Sequence, residues 1–388
     1  MRGDSQRHIH ETSRPLRLLL AAMLTFGIAA AAVACGDDDD NLVFPSEQDV
    51  EVEVVATGLE VPWEIAFAPD GRIFVTERPG RVRVIEDGEL LDEPLLEPDV
   101  VPHGEGGMLG LALDPNFASN GYFYVKYTHR GPDGLTNRVS RFTADGNQAA
   151  DELVLLDDIP ADGIHNGGRV GFGPDGNLYI TTGDAGEPDY SQDPDNVAGA
   201  ILRIRPDGSI PEDNPFDGSP VYSYGNRNPQ GLAWHPETGD LISTEHGERA
   251  RDEINLIEPG ANYGWPVVEG VAGHPDFVDP IIESGPDVTW APSGATFYTG
   301  DALPEHWQGL FFFASLRGQH IHWMLLEPPY ENGEAIQHGR LFHEEFGRIR
   351  AIAEGPDGYL YFTTSNRDQW DVPRPNDDHI YRIVPAEE

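Results

Sequence analysis

The chain has 388 residues, with 67 acidic side chains against 25 basic ones and a net charge of −42. This charge argues against nucleic acids and anionic lipid surfaces as partners, because both would repel so acidic a protein. Abundant carboxylates also suit calcium, which prefers oxygen ligands. Lys126 is the only lysine, so nearly all cations are arginines, the side chains best suited to bidentate contacts with carboxylates.

Residues 1–34 have the pattern of a bacterial secretory signal peptide: several arginines, then an apolar run that ends in "AVAC". Cys35 is the only cysteine, so it has no internal disulfide partner, and its position looks like the lipidation site of a bacterial lipoprotein. Residues 35–49 are predicted to be a polar tether. The alternative is an uncleaved anchor helix, for which the apolar run is short. Both alternatives predict an exported protein on the periplasmic or surface side of a bacterial membrane, and lipidation would make Cys35 its sole membrane contact.

The rest of the chain repeats one unit six times. Each copy has two alternating strands around a tight turn, as in "VGFGPDGNLYITTGD", and a further short strand follows. The gaps leave room for a fourth strand per copy. The copies lie at 65–77, 111–127, 170–184, 232–245, 295–316 and 351–365.

Six such units predict an all-β fold, a single six-bladed β-propeller with four-stranded blades over residues 50–388. A two-sheet sandwich or a β-helix is the alternative, but the spacing of the copies fits blades better. The early strand at 50–58 has no repeat of its own. We expect it to complete the last blade and close the ring, which removes an exposed edge.

The loops that enter the innermost strands of a propeller gather around its axis on one face. His165 and Asn166 lie in such a loop, directly ahead of two glycines. Polar groups that converge in a cleft are what an active site requires. The corresponding loops of other repeats are 103–110, 224–231, 291–294 and 345–350.

Arginines are the first candidate ligand-binding residues. Arg227, Arg348 and Arg350 lie in these loops, and Arg317 lies at a strand end near the same face. Such a group suits a ligand with several carboxylates or phosphates. Because no glycine-rich phosphate loop opens a helix here, the pattern favours a polycarboxylate.

The catalytic candidates follow from the same loops. His165 is the candidate general base, since histidine titrates near neutrality. Arg227 and Asn228 suit the stabilisation of a developing oxyanion. Glu105 is a candidate ligand for a substrate hydroxyl, and Trp290 offers a flat face on which a ring can stack.

One segment, 245–266, is rich in acidic residues and turns, which suits calcium. The chain has no cysteine or paired-histidine pattern that favours zinc. The alternative is a solvated acidic loop.

Five stretches, in order from about residue 51 to the C-terminus, resemble the soluble sugar dehydrogenases that use pyrroloquinoline quinone (PQQ). That family includes soluble quinoprotein glucose dehydrogenase and the bacterial aldose sugar dehydrogenases. The stretches are "GEGGMLGLALDPNF", "HNGGR", "GNRNPQGLAWHP", "DEINLIEPGANYGWP" and "GRIRAIAEGPDGYLYFTT". The resemblance implies a six-bladed propeller that oxidises an aldose at C1 to the lactone, with hydride passed to PQQ and electrons to a cytochrome or quinone.

The resemblance also implies roles for residues. His165 matches the catalytic base, and Arg227 and Asn228 match the pair beside the reactive quinone carbonyl. Arg317, Arg348 and Arg350 match positions that bind PQQ carboxylates, although Arg317 replaces a lysine.

The resemblance implies calcium as well. Gly247 and Glu248 match positions whose backbone carbonyls bind the calcium held with PQQ, which polarises the quinone. Glu253 and Tyr263 match ligands of a second, structural calcium.

Some positions depart from the family. Glu105 stands where several members have a glutamine, Ile164 replaces an acidic residue that some members have before the base, and Glu248 replaces a proline. The "TWAPSG" loop that contains Trp290 is short. These changes fall where the sugar is chosen, so the sequence does not identify the sugar.

Two other functions stay open at this point. A calcium-dependent sugar-lactone hydrolase would need a metal cage of side chains at the axis rather than the arginines. A non-catalytic binding propeller, like the related domain of Hedgehog-interacting proteins, would leave His165 and the arginines without a shared ligand. The sequence is compatible with a monomer or a dimer.

Overall fold

The computed structural model describes residues 43–132, 134–330 and 336–386, which belong to one unit that begins at Val43. The predicted signal peptide, 1–34, and the predicted lipidation site, Cys35, lie outside the described residues. None of the helices in the described ranges is long and apolar enough to cross a membrane.

The described strands form six antiparallel sheets of four strands each, which confirms the predicted six-bladed propeller. The first strand in the chain is β1 (Val50–Ala56). The first three blades contain β2 (Pro62–Phe67), β3 (Ile73–Glu77), β4 (Arg81–Glu86) and β5 (Glu89–Leu90); β6 (Met108–Leu113), β7 (Tyr122–Gly131), β8 (Gly134–Asp145) and β9 (Gln148–Pro160); and β10 (Val170–Phe172), β11 (Leu178–Thr182), β12 (Ala200–Ile204) and β13 (Val221–Tyr224).

The remaining blades follow the same order from the axis outwards. They contain β14 (Pro229–Trp234), β15 (Leu241–Glu245), β16 (Glu253–Ile257) and β17 (Ile282–Glu283); β18 (Pro292–Phe297), β19 (Phe311–Ser315), β20 (His320–Met324) and β21 (His338–Leu341); and β22 (Ile349–Glu354), β23 (Leu360–Thr364) and β24 (Ile380–Pro385). Helical structure in the described ranges is limited to α1 (Phe117–Asn120) and three short 3-10 segments, Glu47–Asp49, Pro188–Gln192 and Glu305–Trp307.

The sixth blade takes its outermost strand from the start of the chain. β1 pairs antiparallel with β24, with Val52 opposite Ile383. This pairing confirms the predicted closure of the ring, and it covers an edge that would otherwise expose unpaired backbone groups.

The blades pack face to face through alternating side chains. On β7, Phe123 and Val125 pack against Phe74 of the first blade, whereas Tyr124 packs towards the third blade. Period-two alternation puts Lys126 on the same face as Tyr124. The inner strands of neighbouring blades therefore lie close together around the axis, and their entrance loops converge there.

The predicted tether ends earlier than residue 49. Phe44 stacks on Trp323 of the fifth blade with ring centroids 5.2 Å apart, and the Glu47 carboxylate accepts a hydrogen bond from the Phe342 backbone N–H at 2.5 Å. An apolar ring gains free energy by leaving water, so this segment folds onto the propeller instead of remaining a solvated spacer.

Candidate active site

A cavity of about 380 Å³ lies where the entrance loops meet. Four residues predicted from the sequence line it: Glu105, Arg317, Arg348 and Arg350. Four further lining residues with polar or aromatic side chains were not predicted: Arg78, Gln230, His246 and Trp370. The cavity thus collects arginines from three parts of the chain around one acidic side chain, Glu105.

His165 adjoins this cavity through Glu105. The His165 backbone N–H donates to Glu105 Oε2 at 3.0 Å, and the His165 carbonyl accepts from the Ala185 N–H at 3.1 Å. The residue has a left-handed φ of 54°, which is uncommon for a side chain other than glycine. Such a conformation persists where neighbouring contacts fix it, and these are often functional sites.

Asp184 orients the His165 ring. The two side chains are 2.6 Å apart, from His165 Nδ1 to Asp184 Oδ1. Burial raises the pKa of Asp184, but hydrogen bonds from His165, the Gly186 N–H and Trp265 Nε1 together hold it below its usual value. Because a carboxylate only accepts, Nδ1 is the ring nitrogen that donates to Asp184, and Nε2 is the one available to accept a proton.

The sequence did not reveal this partner. Ile164, the residue before His165, has an exposed apolar side chain, and Asp184 supplies the carboxylate. The structural reason is the hairpin: the His165 loop precedes β10 and Asp184 follows its antiparallel partner β11, so both lie at the same end. The alternation around the "GPDG" turn was the signal that could have found it.

Asn228 and Arg227 come from the fourth blade's entrance loop. Asn228 Nδ2 lies 3.5 Å from Glu105 Oε2, and Asn228 Oδ1 accepts from the Gly167 N–H at 2.9 Å. The Arg227 guanidinium lies over the Trp265 ring, 5.2 Å from its centroid. The Arg227 carbonyl also accepts the Asp184 N–H at 2.9 Å, so both residues lie close to the His165 loop.

The loop that contains Arg227 and Asn228 is held by a buried carboxylate, Glu245. Glu245 accepts hydrogen bonds from the backbone N–H groups of both residues and from Asn226 Nδ2. The sequence predicts Glu245 only as part of the acidic segment 245–266 and does not reveal this contact.

Arg348 and Arg350 point towards a common carboxylate. Arg348 Nε donates to Asp368 Oδ2 at 2.8 Å, whereas Arg350 Nη2 is 3.8 Å from the same oxygen. Arg350 Nη1 instead donates to Gln230 Oε1 at 2.6 Å, and its buried Nε has no hydrogen-bond partner among the described residues. Burial lowers the pKa of Arg350 to about 9. The cavity therefore has cationic donors that an anionic ligand would satisfy.

Arg317 lies between two cavities. It lines the central cavity and also a second one of about 600 Å³, which contains His320, His322 and His338. Its predicted contact with a ligand in the central cavity is therefore compatible with its position.

Trp290 does not offer the stacking face predicted for it. Its ring is 6% exposed, contacts Phe313 and His322, and borders the second cavity rather than the central one. Asp252 fixes this arrangement, because its Oδ2 accepts the Trp290 N–H at 2.6 Å and turns the short loop inwards. Trp370, which is 61% exposed and lines the central cavity, is the aromatic ring available there.

Gly247 and Glu248 directly follow His246, a residue that lines the central cavity. The Gly247 N–H donates to Asp252 Oδ1 at 3.0 Å, and a Cβ at Gly247 would lie 2.0 Å from the Ala250 carbonyl oxygen. Only glycine fits so tight a turn. The predicted calcium-binding carbonyls thus belong to a rigid loop at the edge of the cavity.

Glu253 lies on β16, near the buried Glu245. Asn255 Nδ2 connects them, at 3.2 Å from Glu253 Oε2 and 3.4 Å from Glu245 Oε2. Burial raises the pKa of both carboxyl groups, and that of Glu253 is raised further by the charge of Glu245. The buried amide oxygens of Asn226 and Asn255 have no partner among the described residues. This donor set suits a hard cation such as calcium.

The Tyr263 side chain, unlike that of Glu253, is hydrogen-bonded to backbone groups and not available to a cation. Its hydroxyl donates to the Leu256 carbonyl at 2.5 Å and accepts from the Glu258 N–H at 2.9 Å, so only its backbone carbonyl is left for a metal. The described ranges contain no cluster of three or more His, Cys, Asp or Glu side chains arranged for a metal. A cation here would therefore depend on carbonyl and amide oxygens as well as on Glu253.

Beneath the cavity, Arg169 forms a buried ion pair with Glu64. Arg169 Nε also donates to the Gln230 carbonyl at 2.9 Å, and its guanidinium lies 4.4 Å from the centroid of the Trp63 ring. Burial raises the pKa of Glu64, although Arg169 opposes that effect. Gln230 thus connects this ion pair to Arg350.

The chain is similar to known proteins over most of its length. Residues 59–371 match the family model described as glucose / sorbosone dehydrogenase. Aldose sugar dehydrogenase YliI of Escherichia coli (strain K12) is 35% identical over 339 residues, which cover 81% of this chain and 90% of that protein.

Two solved structures are similar over nearly the whole described region. The PQQ-bound aldose sugar dehydrogenase of Streptomyces coelicolor is 36% identical, with a TM-score of 0.78, over 87% of this chain and 99% of that one. A putative oxidoreductase (glucose dehydrogenase) of Thermus thermophilus is 43% identical, with a TM-score of 0.78, over 86% of this chain and 100% of that one.

The ion pair beneath the cavity gives a test of stability. We expect Arg169→Met to lower the free energy of unfolding by about 3–5 kcal/mol, because it leaves the Glu64 charge buried and unpaired. Denaturant unfolding at neutral pH measures the change. The double variant Glu64→Leu with Arg169→Met is the control and should lose clearly less stability than Arg169→Met alone. Equal losses in the two variants would contradict the assignment of a buried charge pair.

Proposed function

Because the chain belongs to the glucose / sorbosone dehydrogenase family, we propose that it is a PQQ-dependent enzyme that oxidises an aldose at C1 to the lactone, with His165 as the general base. Oxidation of a sugar by a quinoprotein agrees with the similarity to a PQQ-bound aldose sugar dehydrogenase. The observation that carries the proposal is the His165–Asp184 pair beside an arginine-lined cavity.

The arginines that line the central cavity suit PQQ, which has three carboxylates. Arg348 and Arg350 would bind its carboxylates, with Arg317 and Arg78 as further cations at the same cavity. The buried, unpartnered Nε of Arg350 supports an anionic occupant. When bound, PQQ supplies the two-electron acceptor that the side chains lack.

The protein's own part in the reaction is to bind the sugar and move a proton. Nε2 of His165 would accept the proton of the C1 hydroxyl as the C1 hydrogen leaves with its electron pair, so that the C1–O bond becomes a carbonyl. Asp184 would stabilise the imidazolium that forms. Glu105 would accept a hydrogen bond from a sugar hydroxyl, and Arg227 and Asn228 would stabilise negative charge on an oxygen.

Calcium is part of the proposal. Gly247 and Glu248 would bind one ion through their carbonyls at the cavity edge, where it would act as a Lewis acid. Glu253 and the Tyr263 carbonyl would bind a structural ion. The buried carboxylates and the unpartnered amide oxygens beside them support this second site.

The rival functions fit less well. A lactone hydrolase needs several metal-binding side chains at the axis, whereas Glu105 supplies the only carboxylate among the described residues that line the central cavity. A purely binding propeller gives no reason for a histidine oriented by a buried aspartate.

The cellular setting follows from the N-terminal pattern. We propose export directed by residues 1–34 and a lipid anchor at Cys35. From the family resemblance, we propose a cytochrome or quinone as electron acceptor.

The proposed activity can be tested by reconstituting the apoprotein with PQQ and Ca²⁺. Dye reduction, measured over a panel of aldoses, tests the activity and identifies the sugar.

Replacing the base should affect turnover more than binding. We expect His165→Gln to bind PQQ and calcium but to lower turnover by about 10²–10⁴-fold, the usual contribution of a positioned base. Melting temperature, PQQ occupancy and turnover should be measured on one preparation. His129→Gln is the matched control, because His129 forms a similar pair with Asp157 away from the cavity. A folded, PQQ-loaded His165→Gln variant with near-normal turnover would refute the mechanism.

The two axial arginines should contribute to PQQ affinity. We expect Arg350→Met to weaken PQQ binding by about 1.5–3 kcal/mol, through lost charge-assisted hydrogen bonds. Arg348→Met should have a smaller effect, because Asp368 already pairs with Arg348. Fluorescence titration with Ca²⁺ present measures both affinities, and Arg382→Met, on the outer surface, is the control. Unchanged affinity in both axial variants would rule out this binding mode.

The structural calcium site predicts a link between chelation and stability. Since an ion that binds only the folded state stabilises it by mass action, EGTA should lower the melting temperature of the wild type by several degrees. Glu253→Gln should melt lower in calcium and respond less to EGTA. Glu283→Gln, a change in the strand residue opposite Glu253, is the matched control and should respond like the wild type. If EGTA changes neither the melting temperature nor the turnover of the wild type, the proposed calcium sites are wrong.

A further inference from the structure

Lys126 is a fully buried cation that the proposed mechanism does not use. Its side chain lies on β7 and is 0% exposed. Nζ donates to two backbone carbonyls, that of Asn166 at 2.5 Å and that of Thr181 at 2.9 Å. Among the described residues, no carboxylate offsets the cost of burying its amine. Burial of an unpaired ammonium group is costly, so its position calls for an explanation.

Both carbonyls belong to the machinery around His165. Asn166 directly follows His165, and Thr181 lies on the strand that leads to Asp184. Lys126 thus connects the loop of the base to the strand of its carboxylate partner. It does so from a different blade, the second, while both partners belong to the third.

The peptide group between Asn166 and Gly167 is held at both ends. Its carbonyl accepts from Lys126, and its N–H donates to Asn228 Oδ1 at 2.9 Å. The preceding residue, His165, is held by Glu105 through its N–H and by Ala185 through its carbonyl. These contacts fix the left-handed backbone of His165. Of the residues that make them, Lys126 is the one basic side chain.

We propose that Lys126 is a positioning residue, which holds the Asn166 carbonyl so that the His165 ring keeps its hydrogen bond with Asp184. This inference rests on the proposed function of His165. Lys126 is not among the described residues that line the central cavity, so we expect it to act through His165 rather than by contact with the substrate or the cofactor.

A long, unbranched side chain suits this role. The stem crosses the packed interface between the second and third blades, and the amine at its end reaches two carbonyls at once. Burial lowers the pKa of Lys126 to about 7. Either form of the amine has enough N–H groups to serve both carbonyls, so the contact does not require the charge.

The test compares Lys126→Met with a matched control on the same strand face. Lys126→Met removes both hydrogen bonds with little change in length. Tyr124→Phe, two residues earlier, removes a buried hydrogen bond to Asp114 that lies outside the site. Both variants should lose some stability, so melting temperature alone does not distinguish them.

The first measurement needs no cofactor. In proton NMR spectra of the apoprotein, the His165 Nδ1–H that donates to Asp184 should give a low-field signal, identified by its loss in His165→Gln. We expect this signal to persist in Tyr124→Phe and to shift or disappear in Lys126→Met. An unchanged signal in Lys126→Met would overturn the inference.

The second measurement uses the PQQ- and Ca²⁺-loaded enzyme. Lys126→Met should lower kcat by about 10–100-fold with little change in the KM for the sugar, because only the base is misplaced. In a His165→Gln background the same change should lower kcat by less than about threefold, since the two residues act as a unit. Effects that simply multiply would overturn the inference.

The two measurements separate this inference from the proposed function. If His165→Gln turns over normally, the base is wrongly assigned, but the NMR signal still decides whether Lys126 positions His165. If Lys126→Met does not fold, Lys126→Gln is measured in the same way, because its amide nitrogen ends one bond short of the Nζ position and cannot keep both hydrogen bonds. A signal and a kcat equal to those of the wild type in Lys126→Gln would likewise overturn the inference.

Discussion

The pairing of β1 with β24 is the contact on which the rest of the molecule depends. It turns a row of six similar sheets into a closed ring, and only a closed ring brings distant loops to a common axis. Glu105 comes from the second blade, His165 from the third, Asn228 from the fourth and Arg350 from the sixth. Each is ordinary in its own loop, and the proposed chemistry depends on the distances that ring closure sets between them.

Acidic side chains do more here than keep the surface charged. Several accept hydrogen bonds from backbone N–H groups of the entrance loops, and two of these, Glu245 and Asp252, are buried. Glu105 holds His165, Glu245 holds Arg227 and Asn228, and Asp252 holds the Gly247 turn and the Trp290 loop. Loops without regular structure need such partners for their backbone donors. Part of the large negative charge is therefore a means of shaping the site.

The sequence was sufficient for the fold, because each blade repeats a two-residue period around a recognisable turn. It also indicated that the loops containing His165 and Arg350 lie near one axis, since the repeat shows where the entrance loops meet; the roles proposed for these residues stay predictions. It was not sufficient for Asp184 or Lys126, whose roles depend on which atoms face each other across a hairpin or a blade interface. Trp290 was misjudged because a side chain's direction depends on a loop turn that Asp252 imposes, and no periodicity records that turn.

Because the site is divided among blades, substitutions in one blade affect residues of the others. The proposed base and Asp184 belong to the third blade, whereas the arginines that line the central cavity come from the first, fifth and sixth blades. The entrance loops are also tied to one another, because Glu105 of the second blade and Asn228 of the fourth both accept hydrogen bonds from the His165–Gly167 loop of the third. A change in one loop therefore has to be accommodated by the loops of its neighbours. For substitutions in the site, the ring rather than the single blade is the unit that must remain compatible.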